Sequence, residues 1–373
     1  MNKTIGIFGG GQLGRMMAQA ALPLNLQCTF FEAETNCPAA ILGSVFSSKN
    51  EQGLQDFIAS ADVFSLEFEN TPVADVDVLT QTKTLHPPRL ALATAQNRLA
   101  EKALFDQLAI PVAPYRAVDS LESLKQAVAE LGLPIVLKTV TGGYDGKGQF
   151  VLRSEDQIDT AWAELGPAKS LIAESFVKFS REVSIIAVRG QNGDVKTWAL
   201  AENHHHNGIL SHSIVPAPNS TDLQPVAQDY ITRLLNHLNY VGVLTLELFV
   251  TEQGLYANEM ACRVHNSGHW SIEGAICSQF ENHIRAVAGL PLGSTDVVRP
   301  TVMINIIGQH PKSEDVLALK GAHLHLYNKS ERAGRKLGHI TLMPNNSDEL
   351  TMLCRQLAKI LPVPLALTDD MNL

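Results

Sequence analysis

Several features are scarce or missing in this chain, and each absence narrows what it can be. Cysteine is rare: Cys28, Cys37, Cys262, Cys277 and Cys354 are five in 373 residues, an odd number, widely spread and without a CxxC pair. That argues against a disulfide framework or a zinc ribbon and for a reducing cytoplasmic setting. No apolar run reaches the length of a membrane span. At the N-terminus one lysine precedes IGIFGGGQLGRMM, where glycines and an arginine interrupt any signal-peptide core. The Walker pattern GxxxxGK[ST] does not occur, which argues against a P-loop NTPase. Positive charge is in deficit, with a net charge of −9. This disfavours nonspecific binding to nucleic acid or acidic membranes, while leaving room for a local basic pocket for phosphate. Hydrophobic residues at 45% and charged residues at 18% are ordinary for a folded protein, and the length suits two or three domains around a large core.

The first third reads as a doubly wound α/β unit. Strands are expected at Lys3–Phe8, Gln27–Phe31, Asp62–Leu66 and Thr82–Leu85, with helices at Gln12–Leu22 and near Gln52–Ala59. Gly9, Gly11 and Gly14 spell GxGxxG, and Glu32 ends the second strand. That is the dinucleotide fingerprint, so an NAD-dependent dehydrogenase is a competing reading. The same glycines could serve only a tight turn, close helix–strand packing or another phosphate at the helix N-terminus. Glu67-Phe68-Glu69-Asn70 follows a strand, where open α/β sheets put ligands, although Asn70 or Thr71 before Pro72 also fits a helix cap.

The middle third carries the needs of a nucleotide. Helices are expected at Asn97–Leu108 and Leu121–Leu131, and a strand over Pro134–Lys138 ends on a lysine. The loop Thr141–Gly148, TGGYDGKG, follows at once. A strand-end ammonium beside a glycine-rich loop suits a triphosphate, because glycine lets backbone N–H groups approach; a hairpin turn with a solvated lysine is the plainer alternative. Glu174 and Glu182, on strands Leu171–Glu174 and Arg181–Val188, could hold an adenine amino group and a ribose hydroxyl, with backbone groups of Phe176 and Val177 completing the base contacts. His204, His205 and His206, with His212 near, look like metal ligands. Consecutive strand residues alternate faces, however, and no Cys or carboxylate sits at zinc spacing, so one histidine lining a pocket is the better reading.

Glu247–His269, ELFVTEQGLYANEMACRVHNSGH, is the most informative stretch. It reads as a strand with Glu247, a turn at Gln253-Gly254, a returning strand with Asn258 and Glu259, and a polar run of Arg263, His265, Asn266, Ser267 and His269. If the strands pair, the two carboxylates converge beside an imidazole, an amide and a guanidinium. Facing carboxylates repel unless a cation lies between them, and Mg²⁺ carrying triphosphate oxygens meets that need. The acids alone would equally suit a solvated surface hairpin; the polar run is what favours a site.

Together these segments resemble the ATP-grasp superfamily and, within it, the N5-carboxyaminoimidazole ribonucleotide synthase family. GQLGRMM at Gly11–Met17, EFEN at Glu67–Asn70, TGGYDGKGQ at Thr141–Gln149, RVHNSGHW at Arg263–Trp270, QFENHIRA at Gln279–Ala286 and GRKLGHI at Gly334–Ile340 carry the likeness across the whole chain. The resemblance implies α/β and α+β architecture: a Rossmann-like pre-ATP-grasp domain over residues 1–97, an ATP-grasp domain over 98–291 with a flexible lobe at about 98–177, and a small β-rich C-terminal segment over 292–373 packing on the core. It implies ATP contacts at Arg98, Lys138, Glu174, Phe176, Val177, Glu182, His205, Asn258 and Glu259. Mg²⁺, with Mn²⁺ as an alternative, would fall to Glu247 and Glu259. The ribonucleotide would fall to Tyr144, Lys147, Lys329 and Arg335, with Arg285 nearby, and carboxyl chemistry to Asp145, Arg263, His265 and Asn266. Substrates would be ATP, bicarbonate and 5-aminoimidazole ribonucleotide, and the glycine turn would shape the ribonucleotide pocket instead of binding NAD. A homodimer is implied, with no nucleic acid or membrane partner. This sequence departs from the family pattern at Cys262 and Ala333, where proline is common, and at Asn328, where glycine is frequent.

Overall fold

The computed structural model describes residues 3–142, 148–165 and 170–363. The N-terminal unit is a five-stranded parallel sheet in the order Val45–Ser47, Gln27–Glu32, Thr4–Phe8, Val63–Leu66, Thr84–Leu85. Its expected strands and helices form within a few residues of their expected bounds; the short strand Val45–Ser47 was not anticipated. Parallel pairing needs crossovers, and the helix Gln12–Ala21 supplies the first, burying Leu13, Met16, Met17 and Ala21.

A four-stranded antiparallel sheet follows, in the order Tyr115–Val118, Leu171–Ser175, Ile135–Thr139, Gln149–Leu152. The helix Leu121–Leu131 covers it. Ser120 and Ser123 cap that helix reciprocally, Leu124, Ala127 and Val128 form its buried face, and Gly132 at φ 71° follows its end. This lobe has a core of its own running from Val118 to Ala173. The helix Arg98–Gln107, capped by the Asn97 side chain, packs elsewhere: Leu104 and Phe105 join the larger core with Leu66, Leu246 and Leu248.

The third sheet has nine strands. Its main path runs Gly254–Ala261, Gly242–Thr251, Arg181–Arg189, Ala201–His206, Ile209–Val215, Thr301–Ile307, Lys336–Leu342, Ala322–Leu326, with Val195–Thr197 paired to Arg181–Arg189. The C-terminal segment therefore enters the sheet by backbone pairing, with His212 opposite Ile304 and Val215 opposite Thr301. The helix Ser347–Ile360 seals it through Leu350, Leu353 and Leu357. All five cysteines are free and buried. Among the described residues no helix is long and apolar enough to cross a membrane.

Candidate functional site

The hairpin forms as the sequence indicates, but with one irregularity that decides its chemistry. Leu248 lies opposite Ala257, whereas Glu247 lies opposite Glu259. Asn258 is therefore the extra residue of a β-bulge. In an unbulged ladder continuing from Leu248, Glu247 would face Asn258 and Glu259 would point to the other side of the sheet. The bulge turns Glu259 onto the face of Glu247. That face continues in polar residues: Ser184 is paired with Glu247, Glu182 with Asn203, and Asn203 with Ser213. Alternate residues Val183, Ile185, Leu246 and Leu248 are buried in the core. Glu182, Asn203, His205, Glu247, Leu248 and Asn258 line a narrow cleft.

A directional chain of hydrogen bonds orients His265. Asn203 Nδ2 donates to Ser184 Oγ (2.9 Å), and Ser184 Oγ donates to Ser267 Oγ (2.8 Å). Ser267 Oγ lies 2.9 Å from His265 Nδ1, which also accepts the Ser267 N–H at 3.3 Å. The ring proton is thereby assigned to Nε2, 3.2 Å from Glu247 Oε1. Burial, and then the charge of Arg263, hold His265 well below the ordinary histidine range, so the ring is neutral. His265 thus presents its neutral Nε2–H beside the Glu247 carboxyl. Burial and the charge of Glu259 push Glu247 up to about 8. A carboxyl so displaced is one that a cation would return to its ionised form, so the residues fit a divalent ion. No cluster of three or more His, Cys, Asp or Glu side chains disposed to hold a metal occurs among the described residues. Two protein acids with phosphate oxygens and water completing the shell are the usual Mg²⁺ arrangement at nucleotides.

The other expected residues divide into those brought to this face and those held apart. Lys138 Nζ lies 3.0 Å from Glu174 Oε2. Burial works to raise the Glu174 carboxyl, but Lys138 and Lys102 outweigh it and lower it. Its Oε1 is buried without a hydrogen-bond partner. His205 Nδ1 is 3.3 Å from Glu182 Oε1; burial opposes its protonation, and Glu182 more than offsets this, raising it. His204 instead approaches Glu202 (3.0 Å) and stacks on His212 at 4.3 Å. Arg98 Nη2 is 3.9 Å from Glu259 Oε2. The Phe176 N–H donates to Pro134 O at 3.1 Å, so that donor is already engaged within the chain. Arg263 donates to Glu69 Oε1 at 2.9 Å; burial works against its charge, and Glu69 more than restores it. This pair ties the EFEN segment to the RVHN segment, and sequence reasoning gave Glu69 no part in it. The Asn266 amide is occupied in both directions by Asn305, at 3.0 and 2.7 Å. Arg285 is not drawn to the cluster: it pairs with Glu281 one helical turn away (2.5 Å) and approaches Pro291 O. Tyr144, Asp145 and Lys147 lie outside the described residues.

The glycine turn explains why the dinucleotide fingerprint misleads. Glu67 Oε2 accepts the Gly11 N–H (2.6 Å), and Oε1 accepts the Leu13 N–H (3.1 Å). A Cβ at Gly9, Gly11 or Gly14 would meet the Glu67 carboxylate at 2.3–2.9 Å. The anion position at the N-terminus of Gln12–Ala21 is therefore filled by a side chain of the chain itself. Beside it, Lys329 Nζ donates to Gln12 Oε1. Burial lowers the Lys329 ammonium, with Glu67 acting the other way. The turn from Lys329 to Arg335 is thus set against the glycine turn, where Arg335 Nη1 bonds Ser330 Oγ at 2.9 Å. Asn328 has φ 55°, a left-handed conformation that asparagine tolerates in place of the more frequent glycine.

Comparison with known proteins agrees with this arrangement. The ribonucleotide synthetase preATP-grasp domain family matches residues 1–96, the ATP-grasp domain family residues 103–280, and the phosphoribosylaminoimidazole carboxylase C-terminal domain family residues 301–352. The N5-carboxyaminoimidazole ribonucleotide synthase of Pseudomonas aeruginosa is 46% identical over 340 residues, covering 91% of this chain and 94% of that protein. The synthase of Vibrio cholerae is 43% identical over 361 residues, 95% of this chain and 94% of that one. The crystal structure of the Thermus thermophilus synthetase superposes with a TM-score of 0.92 at 44% identity, covering 96% and 99% of the two chains. A structure of the Aspergillus clavatus enzyme in complex with ADP and 5-aminoimidazole ribonucleotide gives 0.89 at 29% identity, covering 96% and 98%. With its parallel N-terminal sheet, its separate lobe and its bulged acidic hairpin, this chain belongs to the N5-carboxyaminoimidazole ribonucleotide synthase family of ATP-grasp ligases.

Proposed function

We propose that this chain uses ATP and bicarbonate to carboxylate the exocyclic amine of 5-aminoimidazole ribonucleotide, giving N5-carboxyaminoimidazole ribonucleotide, ADP and phosphate in purine biosynthesis. The observation that carries the reading is the bulge that sets Glu259 opposite Glu247, beside His265 and across from the Lys138–Glu174 pair. A bicarbonate oxygen attacks the γ-phosphorus and ADP leaves, forming carboxyphosphate. The amine nitrogen then attacks the carboxyl carbon, phosphate leaves, and the amine releases a proton.

Each residue has a part that its surroundings support. Lys138 is placed to offset charge on the transferring phosphoryl group. Glu174, with one buried oxygen lacking a donor, takes a donor of the nucleotide, and Glu182 with His205 lines the cleft for its ribose. Glu247 and Glu259 would hold Mg²⁺ or Mn²⁺, which when bound supplies Lewis-acid neutralisation of the phosphate oxygens. Arg263, held charged by Glu69, is the cation for the carboxyphosphate anion. Asn266 acts by fixing the RVHN segment to Asn305. Lys329 and Arg335 take the ribonucleotide phosphate, because the helix N-terminus beside them is already filled by Glu67. Tyr144 and Lys147 are proposed to contact the ribonucleotide, and Asp145 to take part in proton transfer. A homodimer in the cytoplasm belongs to the same proposal.

The test is ADP release with ATP and Mg²⁺, with and without 5-aminoimidazole ribonucleotide and bicarbonate. Release that needs the ribonucleotide and is stimulated by bicarbonate is expected. Release indifferent to the ribonucleotide would assign the site to a different acceptor.

A further inference from the structure

The bulged strand Gly254–Ala261 is the edge of the nine-stranded sheet; among the described residues no further strand lies beyond it, only a single bridge of Val112 to Ala257. An edge strand presents unpaired backbone donors and acceptors, and a bulge disrupts them further. Here three of those groups, buried or half-buried, are satisfied by a segment distant in sequence. The Ala257 N–H donates to Pro111 O at 2.7 Å. Asn258 O accepts from Lys102 Nζ at 2.8 Å. The Met260 N–H donates to Glu101 Oε1 at 2.7 Å. Glu101 is 3% exposed and Lys102 1%, which is rare for either residue type. Both lie on the helix Arg98–Gln107, and with Arg98, which approaches Glu259, they stand at i, i+3 and i+4 on one face.

Lys102 also reaches across to the lobe. Its Nζ is 3.8 Å from Glu174 Oε2, the oxygen that takes Lys138. The start of the same helix is tied to the lobe by the Arg98 N–H, which donates to Val140 O at 3.0 Å. One helix therefore grips both the strand carrying Glu259 and the strand carrying Lys138. Filling positions 101 and 102 with apolar side chains would cover the edge equally well, but it would leave the half-buried Asn258 carbonyl and the buried Met260 N–H unpaired.

We propose that Glu101 and Lys102 are positioning residues of the nucleotide site: they stand in for the missing neighbouring strand, hold the bulge that turns Glu259 toward Glu247, and fix its distance from Lys138. The inference rests on the reading of Glu247 and Glu259 as metal-binding acids.

The experiment compares Lys102→Met, Glu101→Met and Glu101→Gln with the parent chain and with Glu259→Gln. Mn²⁺ affinity in the presence of ADP is read by electron paramagnetic resonance, alongside thermal melting and steady-state kinetics. Lys102→Met and Glu101→Met should melt as folded proteins and bind Mn²⁺ about tenfold or more weakly, on the scale of a lost charged hydrogen bond. Their kcat should fall in step, while KM for the ribonucleotide stays within about twofold, because its phosphate site is separate. Glu101→Gln keeps an acceptor for the Met260 N–H and should recover most of the Mn²⁺ affinity. Should Lys102→Met fail to fold, the contrast between the two Glu101 variants decides. Parental Mn²⁺ affinity in both Met variants, with Glu259→Gln impaired, would reduce Glu101 and Lys102 to a cover for the sheet edge. Parental affinity in Glu259→Gln itself would instead remove the metal reading on which the inference stands.

Discussion

The molecule contains two places that look built for charged ligands, and they have opposite fates. At the glycine turn, two backbone N–H groups at a helix N-terminus converge on an anion position, and the Glu67 carboxylate already fills it. At the hairpin, Glu247 and Glu259 converge on one face, with the Arg98 guanidinium 3.9 Å from Glu259. The first site is satisfied from within, whereas the second is the one we propose for a cation that arrives with a ligand. A motif thus reports a capacity for charge; only its neighbours say whether that capacity is spent internally. The same difference accounts for the failure of the dinucleotide reading and the success of the nucleotide reading.

The sharpest way to break the comparison is at the hairpin. Glu259→Gln keeps the shape and removes one charge, so the fold should persist while turnover falls by about a hundredfold or more, as for loss of a metal contact. Normal melting with at least half of parental turnover would show that the hairpin acids are ordinary surface groups. Next in size is the acceptor side. If Glu67 keeps phosphate from the helix N-terminus, Arg335 must bind it, and Arg335→Ala should raise KM for the ribonucleotide about tenfold, as loss of a charged hydrogen bond does. KM for ATP should move far less. Initial rates with each substrate varied in turn would reveal equal effects on both constants, an outcome that puts the acceptor phosphate elsewhere.

A smaller effect is expected at the satisfied site. Glu67→Ala deprives the Gly11 and Leu13 N–H groups of their acceptor, and urea unfolding should show a loss of about 1 kcal/mol, on the scale of a lost helix cap. In the parent chain NADH should leave the melting temperature unchanged, while ATP with Mg²⁺ raises it by mass action. A rise with NADH alone would reopen the dehydrogenase reading.

The last effect concerns pH, and its sign differs between groups. Burial raises Glu67 to about 7, and burial with the Glu259 charge raises Glu247 to about 8, against an ordinary value of 4.5. The folded chain keeps protons there that the unfolded chain has released. The stability involved is complete below about 4.5 and is lost as pH rises through 7 to 8. Burial depresses His283 from 6.5 to about 3, so its contribution is complete above 6.5 and is lost as pH falls toward 3. Between pH 6.5 and 8.5 the Glu67 and Glu247 carboxyls lose their protons, as does Glu101, which burial likewise raises to about 8, and the unliganded chain should melt at a lower temperature at pH 8.5 than at pH 6.5. ADP with Mg²⁺ should flatten that slope, since Glu247 is then held ionised. A slope indifferent to nucleotide would locate the raised carboxyl effect away from the hairpin.

Much of this protein is determined by the sequence alone. The strands of the N-terminal sheet at Lys3–Phe8, Gln27–Phe31 and Asp62–Leu66 and the helices at Gln12–Leu22, Asn97–Leu108 and Leu121–Leu131 followed from apolar runs and helical periodicity, because those signals are local. The family likeness followed from motifs spread from Gly11 to Ile340. The residues that tertiary structure added were legible only as composition. Glu101 and Lys102 read as helix surface, yet both are buried because the edge of a strand 155 residues away needs their polar atoms. Asn266 and Arg285 stand in family-like motifs, yet one is a fastening to Asn305 and the other an ion pair within its own helix. The C-terminal segment, expected to pack on the core, joins the sheet through Thr301–Ile307. Above all, the register of the acidic hairpin could not be read in advance. A one-residue bulge at Asn258 decides whether Glu259 faces Glu247 or turns away from it. Strand alternation is a property of the local chain, but a bulge is fixed by hydrogen bonds to groups far along it, and those partners meet only once the fold has formed.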